Sequence, residues 1–197
     1  MIRNHLHSRL FAILAVASLC SATAAHATTS NWKFTLGPEV TGATGTGSAT
    51  ASFNDLTSVF SYDVVFSGLS GNSTVAHFHC CTASPGTGTA GVAVAAPSLL
   101  NFPVGVKAGS FSGSYDLTLA GSFSGSFITN FGAGTVPGAL AAFLAGLNTG
   151  SAYLNVHSSA FPSGEVRGFA AKVPEPGTLA LLGLGLAGLG FTRRRNA

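Results

Sequence analysis

Short runs of β-branched and aromatic residues, each closed by glycine, serine, proline or asparagine, constrain this chain most. They read NWKFTL at 31–36, SATASFN at 48–54, SVFSYDVVFSGL at 58–69, VAHFHC at 75–80, GVAVAA at 91–96, FSGSYDLTL at 111–119, SAYLNVHS at 151–158 and EVRGFAAK at 165–172. Strands this short bury a face only by packing sheet on sheet or by closing on themselves. Eight runs in about 145 residues therefore predict an all-β domain, an antiparallel Greek-key sandwich or barrel. One segment departs from the period of two. In VPGALAAFLAGLNTG, at 136–150, Leu140, Phe143, Leu144 and Leu147 fall at helical spacing. Pro137 suits the opening of a helix and Asn148 or Gly150 its end, so one short helix is expected on the sheet. The pentapeptide GSFSG occurs at Gly109–Gly113 and again at Gly121–Gly125, a spacing that two turns flanking one strand would give.

Both ends read as addresses. Residues 1–27 carry Arg3 and Arg9, then the apolar run LFAILAVASL, then small residues closing at Ala27. That order is a secretory signal peptide with cleavage expected after Ala27, and Leu19 ahead of Cys20 argues against a lipid-anchored variant. At the far end Pro174, Glu175 and Pro176 stop any incoming regular structure. An apolar stretch from Thr178 to Phe191 follows, then Arg193, Arg194 and Arg195. As a helix this stretch spans about 21 Å, short of a hydrocarbon core of about 30 Å, so it is a weak membrane anchor whose arginines stay cytoplasmic. The domains expected are a signal peptide at 1–27, a β domain at 28–172 and a sorting segment at 173–197.

This ending resembles the PEP-CTERM sorting signal of Gram-negative bacteria in its Pro-Glu-Pro motif, hydrophobic helix and basic cluster. The resemblance implies an exosortase-type protease as partner. It also implies a transient stay in the inner membrane and release to the cell surface or extracellular matrix.

Removing the ends changes the charge. Residues 28–173 keep Lys33, Lys107, Arg167 and Lys172 against Glu39, Asp55, Asp63, Asp116 and Glu165, a net charge of −1. The basic isoelectric point belongs to the addresses, and without a basic stripe nucleic acid is excluded as a partner.

His77, His79 and His157 are the only histidines beyond the leader. One residue apart on a strand, His77 and His79 share a face, with Ala76, Phe78 and Cys80 on the other. His157 could supply a third copper or zinc ligand, and Glu165 a fourth ligand or the partner that fixes a tautomer. A structural hydrogen-bonded cluster is the commoner fate of such histidines, and both readings stand at this point. Cys80 and Cys81 alone remain after leader removal, in a chain bound for an oxidising compartment. A vicinal disulfide leads, ahead of copper thiolates shared with His79 and of an intermolecular bridge.

No enzyme is read. The glycine-rich GATGTGS and PGTGTAG lack the Lys-Ser/Thr of a phosphate loop, and no G-x-S-x-G elbow is present. The five core acids show no pairing pattern for glycoside hydrolysis.

AHFH at 76–79 and AYLNVHSSAFPSGEVRGF at 152–169 resemble the CHRD domain, first named from chordin and found in many bacterial secreted proteins. The matching positions are His77, His79, Tyr153, Asn155, His157, Phe161, Pro162, Gly164, Glu165, Arg167 and Gly168. Cys80-Cys81-Thr82 stands where the family usually has Gly-Pro. The resemblance implies an extracellular, non-catalytic binding or structural β domain whose partners are surface proteins or extracellular polysaccharide. Within it, Glu165 and Arg167 on one face of a return strand are expected to clamp the histidines or each other. A His-x-His strand on such a scaffold is also loosely similar to Cu,Zn superoxide dismutase, which makes a redox-active copper or zinc protein the alternative.

Overall fold

The computed structural model describes residues 28–94, 97–174 and 183–185. Ala27, Glu175, Pro176, Arg193, Arg194 and Arg195, and with them the cleavage site and most of the sorting segment, lie outside the described residues. Of the apolar tail, residues 183–185 are described and are helical.

Along the chain come β1 (Thr29–Pro38), β2 (Thr46–Asn54), β3 (Val59–Ser67), β4 (Ser73–His79), β5 (Val92–Val94) and β6 (Gly109–Asp116). Then follow α1 (Gly125–Phe131), α2 (Val136–Thr149), β7 (Tyr153–Ser158), β8 (Val166–Phe169) and β9 (Ala171–Val173). The strands form a single sheet in the order β5-β4-β7-β8-β1-β2-β3-β6, with β9 also against β1. Every pairing is antiparallel. The expected run at 165–172 is thus two strands on one edge of β1. Ala170 stands between them, and Gly168 within β8 lets the strand run close to β1, since a Cβ there would strike the backbone of Thr35.

The sheet rolls into a half-barrel. Phe78 of β4 is five strands from β3 in sheet order, yet its ring meets Phe60 at 5.2 Å and Tyr62 at 5.7 Å. Phe34 of β1 closes on the same ring at 5.6 Å. The inward residues of the strands supply this aromatic core, and Phe143 of α2 plugs its open side against Phe60 at 5.3 Å. Each such ring, fully buried, contributes about 1.5–3 kcal/mol.

The helix expected at 136–150 is present. Thr135 caps it by accepting from the Gly138 amide, and Gly150, at φ 75°, ends it in the left-handed region. Its buried stripe runs through Ala139, Phe143, Gly146 and Leu147, while Leu140 and Leu144 flank the stripe half-buried. The two GSFSG copies are not paired turns. The first lies within β6. The second covers the end of a 3₁₀ turn and the start of α1, where the Ser124 hydroxyl accepts from the Phe127 amide. The same five residues extend where β3 offers a hydrogen-bonding edge and turn where Ser124 caps a helix.

Candidate metal centre

Alternation along β4 sends Ala76 and Phe78 into the core and His77 and His79 to the outer face of the sheet. In β7 it turns Leu154 and Val156 inward and Tyr153, Asn155 and His157 outward. Antiparallel register then sets His79 opposite Tyr153, His77 opposite Asn155, and Val75 opposite His157. From β8, Arg167 falls opposite Asn155 and Phe169 opposite Tyr153. This outer face is covered: the three histidines are less than a tenth exposed and Asn155 is 1% exposed. The cover comes from the connections on either side of β5 and from the turn at 161–164, and it supplies carbonyl groups to the rings beneath.

Those carbonyls fix the protons. His77 Nε2 donates to the Pro97 carbonyl at 2.8 Å, His79 Nδ1 to that of Ala90 at 2.9 Å, and His157 Nδ1 to that of Pro162 at 2.8 Å. A carbonyl oxygen only accepts, and a neutral imidazole has one N–H, so in the neutral form of each ring the other nitrogen is a bare lone pair. One nitrogen from each ring lies within 4.8 Å of the other two. His77 Nδ1 and His157 Nε2 are 3.4 Å apart. Two lone pairs at that separation repel unless a cation stands between them. His79 Nε2 is buried with no partner among the described residues, and a desolvated acceptor of this kind costs about 1–3 kcal/mol.

Burial pushes the pKa of His79 down to about 4, against the bond to Ala90 and with added repulsion from His77 and His157. Burial lowers that of His77 as well, opposed by the bond to Pro97. Both rings are therefore neutral at neutral pH, the form that ligates metals. Tetrahedral zinc, with Zn–N bonds of about 2.0–2.1 Å, places its nitrogens about 3.4 Å apart. The His77–His157 pair already has that spacing. Each ring's other nitrogen is held by a carbonyl, the outer support expected of histidine ligands.

Further groups line the same face. Tyr153 stacks on His79 with ring centroids 4.8 Å apart, and the Arg167 guanidinium lies 5.5 Å from the Tyr153 ring centroid. Arg167 donates to the Gly88 carbonyl at 2.8 Å and pairs with Glu39 at 3.4 Å. Glu39 in turn accepts from Asn155 Nδ2 at 3.5 Å.

Glu165 and Arg167 clamp neither the histidines nor each other. Glu165 precedes β8, fully buried, and its carboxylate accepts from the Ser70 amide. Burial raises its pKa, but Ser158, Ser70 and the Gly71 backbone outweigh that and hold it below the ordinary carboxylate value. The tautomer-fixing partners expected from Glu165 are instead main-chain carbonyls. Cys80 and Cys81 are joined in a vicinal disulfide that lies under α2, on the side away from the histidine rings. Gly146 makes room for it, because a Cβ there would collide with Cys80 Sγ.

Two residues escaped the sequence reading as site groups. Asn155 lay unassigned within the late motif. Glu39 reaches the site only because β1 pairs with β8, across 128 residues of chain from Arg167. A lone acid just past a strand end was the only local trace of it.

Fold and site together define an all-β half-barrel with a buried histidine cluster on one outer face of its sheet. The CHRD domain family matches residues 17–170, and the chain belongs to that family. The PEP-CTERM protein-sorting motif matches residues 172–195, which marks the chain for export and cell-surface sorting. No curated protein and no solved structure matches it.

Proposed function

We propose that this exported CHRD protein is a non-catalytic surface module whose binding function is to hold one copper or zinc ion between His77, His79 and His157. One observation carries the reading: one nitrogen from each of three buried rings lies within 4.8 Å of the other two, while each ring is also held by a main-chain carbonyl. With the rings neutral, their inner nitrogens present acceptors to one another, an arrangement that a bound cation relieves. Burial keeps the His77 and His79 rings neutral, so an ion need not displace protons from them to enter. Processing by an exosortase-type protease, from a transient inner-membrane intermediate, delivers the module to the surface. No residue is assigned to a polysaccharide or protein partner there.

Elemental analysis of the exported protein, as isolated and after incubation with copper or zinc, tests the reading. One equivalent of ion is expected, lost in a His77→Ala/His157→Ala variant. A wild-type protein that stays free of metal after incubation overturns it.

A further inference from the structure

Asn155 is buried, and its amide orientation is not arbitrary. Nδ2 is the atom that meets the Glu39 carboxylate, at 3.5 Å, and a carboxylate only accepts, so the amide cannot be turned round without losing that bond. Glu39 is itself held by Arg167, which is anchored on the Gly88 carbonyl. This chain of contacts leaves Asn155 Oδ1 pointing away from Glu39, buried and without a donor. Asn155 shares this outer face with the three rings, opposite His77 in the register, and His79 Nε2 is a second buried acceptor of the face with no partner among the described residues. An ion held by three histidines satisfies Nε2. It leaves Oδ1 unsatisfied unless something on the ion carries a proton to it.

Three protein nitrogens on a tetrahedral ion leave one position open. Resting on the metal reading above, we propose that Asn155 Oδ1 accepts a hydrogen bond from a water or hydroxide in that fourth position. The site thereby prefers a small ligand that can donate a hydrogen bond over an anion that cannot, such as azide. Glu39 sets this preference at one remove, by holding the Asn155 amide in the accepting orientation.

Cobalt(II) serves as the probe, because its visible spectrum reports the coordination shell directly. Full-length exported protein is loaded with cobalt and titrated with azide beside two variants. Asn155→Leu keeps the volume and removes the acceptor, and Glu39→Gln lets the amide turn over. In Asn155→Leu, cobalt affinity is expected to fall by about 10–100-fold, the range for groups behind metal ligands. Its cobalt spectrum is expected to shift, and azide to bind at a concentration about tenfold lower than in the wild type. Glu39→Gln is expected to move azide binding in the same direction by less, and it carries the test if Asn155→Leu does not fold. Wild-type cobalt affinity, spectrum and azide titration in the variants overturn the role of Asn155 while leaving the three-histidine site standing. A wild-type protein that binds no cobalt overturns both.

Discussion

The outer face of the sheet is two surfaces. Over β2, β3 and β6 it is open to water and made mostly of small hydroxyls, with Asp63, Asp116 and the exposed Val65 among them: Thr50 faces Asp63, and Ser112 faces Asp63 from the other side. Over β4, β7 and β8 it carries His77, His79, Tyr153, Asn155 and Arg167 beneath a cover of loops. Both surfaces share one aromatic inner face. The open side needs no account beyond solubility, since hydrated hydroxyls on a strand cost nothing. The covered side does, because burying polar groups is unfavourable unless each finds a partner. Among the described residues the buried side-chain atoms of this side left without a partner, His79 Nε2, Asn155 Oδ1 and Glu165 Oε2, are acceptors. The cation proposed above would relieve that surplus of acceptors.

If the two surfaces are wings of one core, a cut in that core must disable both. Phe78 is fully buried and its ring touches Phe34 of β1, Phe60 and Tyr62 of β3, and Phe143 of α2. Phe78→Ala is expected to cost about 3–5 kcal/mol, read as the shift of a single cooperative transition in urea. Two separate transitions in the variant would break the comparison, making the covered wing a unit that folds without the open one.

The strand runs were legible because β2 and β3 alternate cleanly between core and water, the pattern a half-buried strand imposes on sequence. In β7 all six residues are buried, so its alternation is between two interiors and says nothing of which side is covered. The spacing of His77 and His79 placed both on one face, and the scarcity of histidine pointed to His157. What fixes their protons was out of reach, because Pro97, Ala90 and Pro162 act through carbonyl groups that every residue possesses. Glu165 misled for a related reason: a carboxylate two residues from Arg167 suggests a pair, but the chain enters β8 between them. α1 was missed because GSFSG looks alike in both its conformations.

A smaller effect on the covered side sharpens the comparison. Glu165 ties the segment at 70–71 to the start of β8, and Glu165→Gln is expected to cost about 1.5–3 kcal/mol at neutral pH, the range for hydrogen bonds to a charged group. The folded protein holds this carboxyl below its ordinary value of 4.5. Its contribution is therefore fully present above that value and is lost as pH falls through the folded pKa. Melting curves of both proteins should differ most above pH 4.5 and converge below it. A difference independent of pH would mean that Glu165 acts through packing rather than charge.

The smallest effect expected is on the open side, and it bears most directly on the contrast. Ser112 is exposed on β6, and among the described residues its side chain makes no hydrogen bond; Asn101 bonds its carbonyl, which alanine retains. Ser112→Ala should change stability by no more than about 0.5 kcal/mol and leave the metal content of the protein untouched. A loss above 1 kcal/mol, or of bound metal, would show the open face to be coupled to the covered one through the sheet. The two surfaces would then no longer be separable in function, and the acceptor surplus would have to be explained by the whole sheet instead of by its histidine wing.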